Sequence, residues 1–525
     1  AVALALACGG GLAACSLGGG EEGADKNTLV IALPAEPENL NPIFGDNIYA
    51  GNEKFFNGLL RYGEGIATEP DLAAALPKVS GDRKTVTVRI REGVRFHDGK
   101  PLTADDAVFT YRSMLDPKVA SPFRTQLESL RGVEAVGRDT VRFSLKRPDP
   151  AFPDKLQMGI IPAHLLEGKD LNKTSFNKRP VGTGPYKFKE LRAGQRMVME
   201  ANRDYFDGPP NIKRVVYTFV EDENARASML ANGSIDGAGL VPKLAPRFRD
   251  SDDYRVIEVP STDARTIALG NQNPALSDPR VRRALSRALD RAKIVKGVLA
   301  GAGEPAYGPA MPRLGLSDSI AKVPHDPAGA RRLLGEAGWR DTNGDDVADK
   351  GGRELSFTIM YFAGDSVRRD IGLAVRSDLA KVGVDAKVAG VGDDVVKARA
   401  KRDATVFGWG VPYDPDLELY SLYNSSLARD DDPYTNSPLM KSRTVDAALE
   451  SGRAGSDRGE RRRSYRKLLE GLRDDGSWLY VARLKHIVVL SKRVSGVKPQ
   501  LEPHAHGFSR GTSWNMERWK LAPGG

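Results

Sequence analysis

The stretch Thr85–Pro117, TVTVRIREGVRFHDGKPLTADDAVFTYRSMLDP, decides the fold class. It opens with alternation: Val86, Val88 and Ile90 fall on one face, Thr85, Thr87 and Arg89 on the other. A period of two is the mark of a half-buried strand. Asp98-Gly99 predicts a turn. Thr103 stands three residues before Asp106, a spacing that lets the two side chains satisfy the first free N–H groups of a helix. Ala107, Val108, Tyr111 and Leu115 then share one helical face, and Pro117 ends it. A strand followed by a capped helix predicts an α/β chain.

At 525 residues the chain has room for two or three domains with large cores. Hydrophobic residues are 40% and charged residues 28%, the usual balance of a soluble globular chain. The net charge of +9 comes from 78 basic and 69 acidic residues that are interspersed. No basic block carries interleaved aromatics, so no nucleic-acid partner is expected.

Residues 1–14, AVALALACGGGLAA, are small, apolar and uncharged. They predict the apolar part of a signal peptide, being too short to span a bilayer. Leu12-Ala13-Ala14-Cys15 resembles a bacterial lipobox, so Cys15 is the expected lipidation site and residues 15–27 a polar tether. Cys8 falls in the removed part, which leaves no disulfide in the mature chain.

Further along, Thr28–Pro34 predicts the first strand, and Phe55, Phe56, Leu59 and Leu60 suit a buried helix. Strands are expected at 140–145, 197–201 and 214–220, and a helix at 222–232 closed by Gly233. Asp278-Pro279 opens a helical pattern that runs to Ala300, with Leu285 and Leu289 facing a core. Another helix begins at Asp326-Pro327 and ends at Gly338-Trp339. Residues 355–361, 365–382 and 384–390 predict a β–α–β unit, Ala404–Trp409 a strand, 458–473 a basic amphipathic helix and 478–492 a further strand.

Catalytic sequence is scarce. The histidines are His97, His164, His325, His486, His504 and His506, without an H-E-x-x-H or C-x-x-C pattern. There is no G-x-S-x-G elbow and no phosphate-binding glycine loop. Asp341, Asn343, Asp345 and Asp349 have the oxygen spacing of a calcium loop. Its sixth position is Asp346 instead of Gly and its twelfth is Gly352 instead of Glu, so an acidic surface turn is expected and no metal site. No catalytic residue and no cofactor is assigned, and the chain reads as a binder, not an enzyme.

Five runs carry a resemblance: GVRFHDGKPLTADDAVFTY, PVGTGPYKF (180–188), EDENARASMLANGSID (221–236), IALGNQNPALSDPRVRRALSRALDRAKIVKGVLAG (267–301) and DPAGARRLLGEAGW (326–339). In this order they resemble the family 5 solute-binding proteins of peptide- and nickel-type ABC importers. The resemblance spans about Asn27 to Lys492. It implies an α/β, two-lobed periplasmic-binding-protein-like fold of type II with an additional subdomain in the first lobe. The first lobe is expected from residues 28–70, 180–265 and 485–525, the inserted subdomain from 71–179 and the second lobe from 266–484. It further implies a monomeric, extracytoplasmic binder that closes by a hinge around a short peptide or peptide-like solute and passes it to an ABC permease.

Ligand contacts carry over residue by residue. GWGVPYDPDLELYSLY (408–423) matches the segment that lines the family's cleft. Aligned on its D-P-D triplet, the Asp that holds a peptide's ammonium in many peptide binders is Val411 here. Trp409 and Tyr413 match the aromatic positions of the nickel branch, with Asp414 and Tyr49 as further expected contacts. That branch also has an Arg before the G-T-G-P run, where this chain reads LQMGIIPAHLL (156–166). The first alternative is a nickel-chelate or metallophore binder; a secreted hydrolase on the same tether is the alternative of a different class.

Burial of acyl chains is worth about 0.8 kcal/mol per CH₂, so two or more chains hold a protein firmly at a membrane. Cys15→Ser should therefore move the protein from the membrane to the soluble fraction; unchanged membrane retention on fractionation would show that Cys15 is not an anchor.

Overall fold

The computed structural model describes residues 27–45, 52–410, 412–429 and 432–522. Cys15 and Tyr49 therefore lie outside the described residues, as does Val411.

Two long antiparallel strands, Tyr254–Leu269 and Trp478–Ser491, form the spine. On one side they continue through Gly237–Leu240, Thr28–Leu33, Arg214–Phe219, Arg196–Ala201 and Tyr186–Arg192. On the other they continue through Ala404–Trp409, Ser356–Phe362 and Asp385–Val391. The result is one mixed sheet that passes through both lobes. The pairing register of the spine slips between Pro260 and Ala264, a bulge that bends the strand and re-aims its side chains.

The apolar cores divide along this sheet. One holds Leu29, Phe55, Tyr217 and Trp519 together with Tyr111, Val141 and Phe143. The four-stranded sheet within residues 78–145 thus shares its core with the first lobe. Two others, around Leu285 with Ile359 and around Phe407 with Tyr465, belong to residues 264–484.

The strand Thr85–Arg89 and the helix Ala104–Leu115 form as the alternation and the cap predict. Val86 and Val88 are buried, and the Thr103 N–H donates to the Asp106 carboxylate at 2.9 Å. Met114 completes the buried helix face, while Leu115 is half-buried. The β–α–β unit is Ser356–Phe362, Ser366–Ala380 and Asp385–Val391, its strands parallel. In the acidic turn, the Asp341 carboxylate accepts the Gly344 and Asp346 N–H groups at 2.7 and 3.1 Å, and Asp349 accepts from Thr342.

Two expected helices differ. Phe55, Phe56 and Leu59 are buried, but in a turn and irregular chain. Their backbone bonds run sideways: the Ile160 N–H donates to the Asn57 carbonyl and the Leu60 N–H to the Leu156 carbonyl. The pattern from Asp278 to Ala300 is two helices, Pro279–Ala288 and Arg291–Val298. Asp290 interrupts it because its side chain accepts the Lys293 N–H at 3.0 Å and starts a new cap.

Leu285 and Leu289 are both fully buried. Leu285→Ala should cost about 2–5 kcal/mol of stability in a urea melt. A change below about 0.5 kcal/mol, typical of surface positions, would contradict this packing.

Candidate functional site

A cavity of about 640 Å³ lies where the lobes face each other. Its walls come from residues 53–71 and 123–159 on one side, from 362–434 on the other, and from the C-terminal segment 500–517. Volumes of roughly 300–1,000 Å³ are usual for small-ligand sites.

The lobes also touch each other around it. Tyr62 of the first lobe stacks on Tyr413 of the second, ring centroids 3.5 Å apart and planes 8° apart. Asp154 accepts Arg313 through both carboxylate oxygens, at 2.7 and 2.8 Å, and the Asp414 N–H at 3.0 Å. Arg313 also donates to Thr68 Oγ1 at 2.6 Å and lies over the Tyr62 ring. Burial raises the Asp154 carboxyl while Arg313 pulls against it. Arg453 joins Asp416 to Glu128 across the lobes, at 2.8 and 2.6 Å.

Trp409 and Tyr413 both line the cavity. The Trp409 indole sits 5.6 Å from Phe407, and its Nε1–H is buried without an acceptor. The glycines beside it serve the protein's own packing. A Cβ on Gly410 would stand 2.1 Å from the Thr262 carbonyl oxygen, and its φ is +150°; one on Gly408 would strike Arg265 and His504. Asp414 is not among the lining residues. Its carboxylate binds Arg461 in a two-pronged ion pair, at 2.6 and 2.7 Å, and accepts the Asp416 N–H, so it holds the Tyr413 loop in place.

Among the lining residues that sequence reasoning missed are Gln157, Glu418, His504 and Arg510. Gln157 is the second residue of the LQMGIIPAHLL run, whose departure from an Arg was the available signal. It is 9% exposed, and neither amide atom has a partner. Glu418 sits within the quoted cleft segment. His504 and Arg510 come from the loop-rich tail and carry no local signal.

Behind the cavity is a buried ionic cluster. Both ring nitrogens of His486 face carboxylates, Nε2 meeting Asp263 at 2.9 Å and Nδ1 meeting Glu502. Asp263 also accepts from Arg265 and from His504 Nδ1, the latter at 2.9 Å. Glu502 also accepts from Ser509 and Thr512. With an acceptor at each end the imidazole must donate twice, so it is charged. Burial opposes that charge, but Glu502 and Asp263 override it and raise His486 to about 9. Burial would lift Asp263, yet Arg265 and His504 hold it well below the carboxylate range. Burial lowers His504 and, further, His506, so both are neutral near pH 7. Among the described residues no group of three or more His, Cys, Asp or Glu is arranged to hold a metal ion.

A cavity between lobes that share a continuous two-stranded spine is the architecture of a protein that closes around a solute. Residues 67–430 match the family model described as bacterial extracellular solute-binding proteins, family 5 Middle. Protein XP55 of Streptomyces lividans is 38% identical, over 95% of this chain and 92% of its own. The oligopeptide-binding protein AppA of Bacillus subtilis is 30% identical, over 97% of this chain and 93% of its own. AppA's structure with a nonapeptide superposes with a TM-score of 0.81 at 29% identity, over 94% of this chain and 99% of that one. The structure of NikZ from Campylobacter jejuni in complex with Ni(L-His) gives 0.88 at 30% identity, with the same coverage. The chain belongs to the family 5 extracellular solute-binding proteins of ABC importers, peptide and nickel type. Binding proteins of this family are extracytoplasmic, and no helix among the described residues is long and apolar enough to cross a membrane.

The sign of the His486 effect is fixed. A folded-state value of about 9, above the unfolded value of roughly 6.5, gives stability that is fully present below 6.5 and lost as pH rises through 9. The urea midpoint should fall between pH 7 and 9.5, and His486→Gln should remove that fall while costing about 3–5 kcal/mol at pH 6.5, since it strands two buried carboxylates. An unaltered pH profile in the variant would place the titration elsewhere.

Proposed function

We propose that this chain captures a short peptide or peptide-like solute outside the membrane, tethered by lipidated Cys15 and acting as a monomer, and delivers it to an ABC permease for import. The observation that carries the reading is the Gln157 amide, buried in the cavity wall with donor and acceptor both unpaired. A peptide bond offers the complementary acceptor and donor, and pairing both removes the cost of burying them. Trp409 and the stacked Tyr413–Tyr62 pair give broad apolar contact that does not demand one side-chain identity. Family membership, with an oligopeptide-binding relative at 30% identity, supports the same class.

A second reading, a metal–amino-acid chelate, is favoured by His504. Its Nδ1 is fixed on Asp263, which orients the ring as carboxylates orient metal-binding imidazoles, and burial keeps it neutral. The metal would arrive as cargo with its chelator supplying most ligands. The solved NikZ complex is the corresponding relative.

Thermal-shift screening of a random pool of di- to pentapeptides against nickel–histidine, followed by calorimetry, separates the two. Peptide binding that survives EDTA is expected; binding of nickel–histidine alone would favour the second reading, and turnover of any peptide would favour a hydrolase. Trp409→Ala should weaken peptide binding about tenfold or more with little loss of stability. Unchanged affinity with a loss of about 3–5 kcal/mol would make Trp409 a core residue only.

A further inference from the structure

The helix Arg458–Asp475 has two unlike faces. Tyr465, Leu468, Leu469 and Leu472 are buried in the core around Phe407. Arg461 lies on the same side and is held by Asp414. The other side exposes Arg458, Arg462, Arg463, Arg466 and Lys467. These five cations fall within about 14 Å of helix axis. The four-residue spacing puts Arg458, Arg462 and Arg466 in one row. Among the described residues, Arg462, Arg466 and Lys467 have no hydrogen bond or ion pair. Arg458 donates to the Arg313 carbonyl, and Arg463 lies near Asp457. The one acid of this stretch, Glu460, is turned back onto the Ser456 N–H and hydroxyl. Other helical arginines do find a carboxylate: Arg280 pairs with Asp278, Arg399 with Asp403 and, on this same helix, Arg473 with Asp474.

The cationic surface continues past the helix. Lys78–Val79 and Thr85–Arg89 form a hairpin in the inserted subdomain. From its loop Arg83 donates to the Ser456 carbonyl, just ahead of the helix, and lies near Asp457. Lys78, Arg83 and Lys84 are all exposed, and the neighbouring Asp82 accepts from the Ser80 hydroxyl and the Lys84 N–H. The same stretch carries Leu76 and Val79, 57% and 52% exposed, the two most exposed large apolar side chains among the described residues. A second-lobe helix and a subdomain hairpin thus adjoin in one basic surface with two aliphatic side chains at its edge.

Two features decide what this surface meets. Cations without a partner in the protein keep their attraction for an anionic bilayer, to which each adds severalfold in binding. Exposed leucine and valine beside cations suit the boundary between headgroups and acyl chains, whereas an acidic protein partner has no use for them. Location agrees, because binding proteins of this family are extracytoplasmic. On the proposed lipid anchor, a tether of residues 15–27 spans at most about 45 Å. A folded chain of this length is roughly 60 Å across, so the protein is held against the membrane.

We infer that this surface docks on anionic phospholipid, with Arg458, Arg462 and Arg466 on the phosphates and Leu76 and Val79 in the headgroup layer. The protein then rests with the junction of subdomain and second lobe toward the bilayer. Docking is separate from solute capture and independent of which solute is bound.

The test is sedimentation of the mature chain carrying Cys15→Ser, which has no acyl chains. It is mixed with vesicles of phosphatidylcholine alone, or of phosphatidylcholine and phosphatidylglycerol in equal parts. Binding to the anionic vesicles only, lost at high salt, is expected. Arg462→Gln with Arg466→Gln should raise the half-saturating lipid concentration about thirtyfold. Leu76→Ser with Val79→Ser should raise it about tenfold. All four positions are exposed, so the urea midpoints should not move and the loss reads the surface itself. Equal binding to both kinds of vesicle, binding to neither, or an arginine variant that binds like the unaltered chain would each overturn the docking. Slower solute uptake by cells carrying the arginine variant, with no vesicle binding by the unaltered chain, would assign the surface to the permease and overturn it as well.

Discussion

The structure depends on the charged cluster at the crossing of its two long strands. Asp263 and Glu502 are wholly buried, and their charges are neutralised by His486 and Arg265. Asp263 sits where the Tyr254–Leu269 strand slips register, His486 on its partner strand and Glu502 in the C-terminal segment. Three separate stretches of chain are thereby pinned at the point where one lobe passes into the other. Ion pairs buried this way contribute little net stability against an apolar alternative, but their donors and acceptors tolerate only one arrangement. A specific crossing geometry is what a two-lobed binder needs from its hinge region.

The cavity inherits its shape from that crossing. His504, hydrogen-bonded to Asp263, and Gly410, pressed against the Thr262 carbonyl, carry the spine's geometry directly into the wall beside Trp409. Opposite them, Asp154 ties Arg313 and the Asp414 backbone together, so one carboxylate on the first-lobe side holds two points of the second lobe. The polar contacts between lobes run through Asp154, Arg313, Arg453 and Asp416. The interlobe set is satisfied within the protein, whereas Gln157, Glu418 and Arg510 keep capacity for something else.

Family membership sets the class of activity, and side chains at the cavity set the solute. The similarity to both an oligopeptide binder and NikZ with Ni(L-His) shows that one fold serves chemically different cargo. In this chain the cleft segment keeps Trp409 and Tyr413, while Asp414 is turned inward onto Arg461. Recognition therefore shifts to polar groups drawn from elsewhere in the chain.

The sequence by itself determined the fold class, most elements and two of the aromatic residues that line the cavity. Alternation at Val86 and Val88, the Thr103–Asp106 cap and the β–α–β pattern of 355–390 are local codes, set by neighbours two to four residues apart. Where a local code was read wrongly, a stronger partner had intervened: sideways backbone bonds at Asn57 and Leu60, and a capping carboxylate at Asp290. Only the tertiary structure decided which charges are free. Asp414 and Asp416 look alike in sequence to Glu418, yet both have an arginine beside them that lies 47 and 37 residues away, and Glu418 does not. His504 and Arg510 reach the cavity because the C-terminal segment folds back over the spine. Whether a polar group is satisfied depends on everything that surrounds it in space, and no short stretch of sequence contains that information.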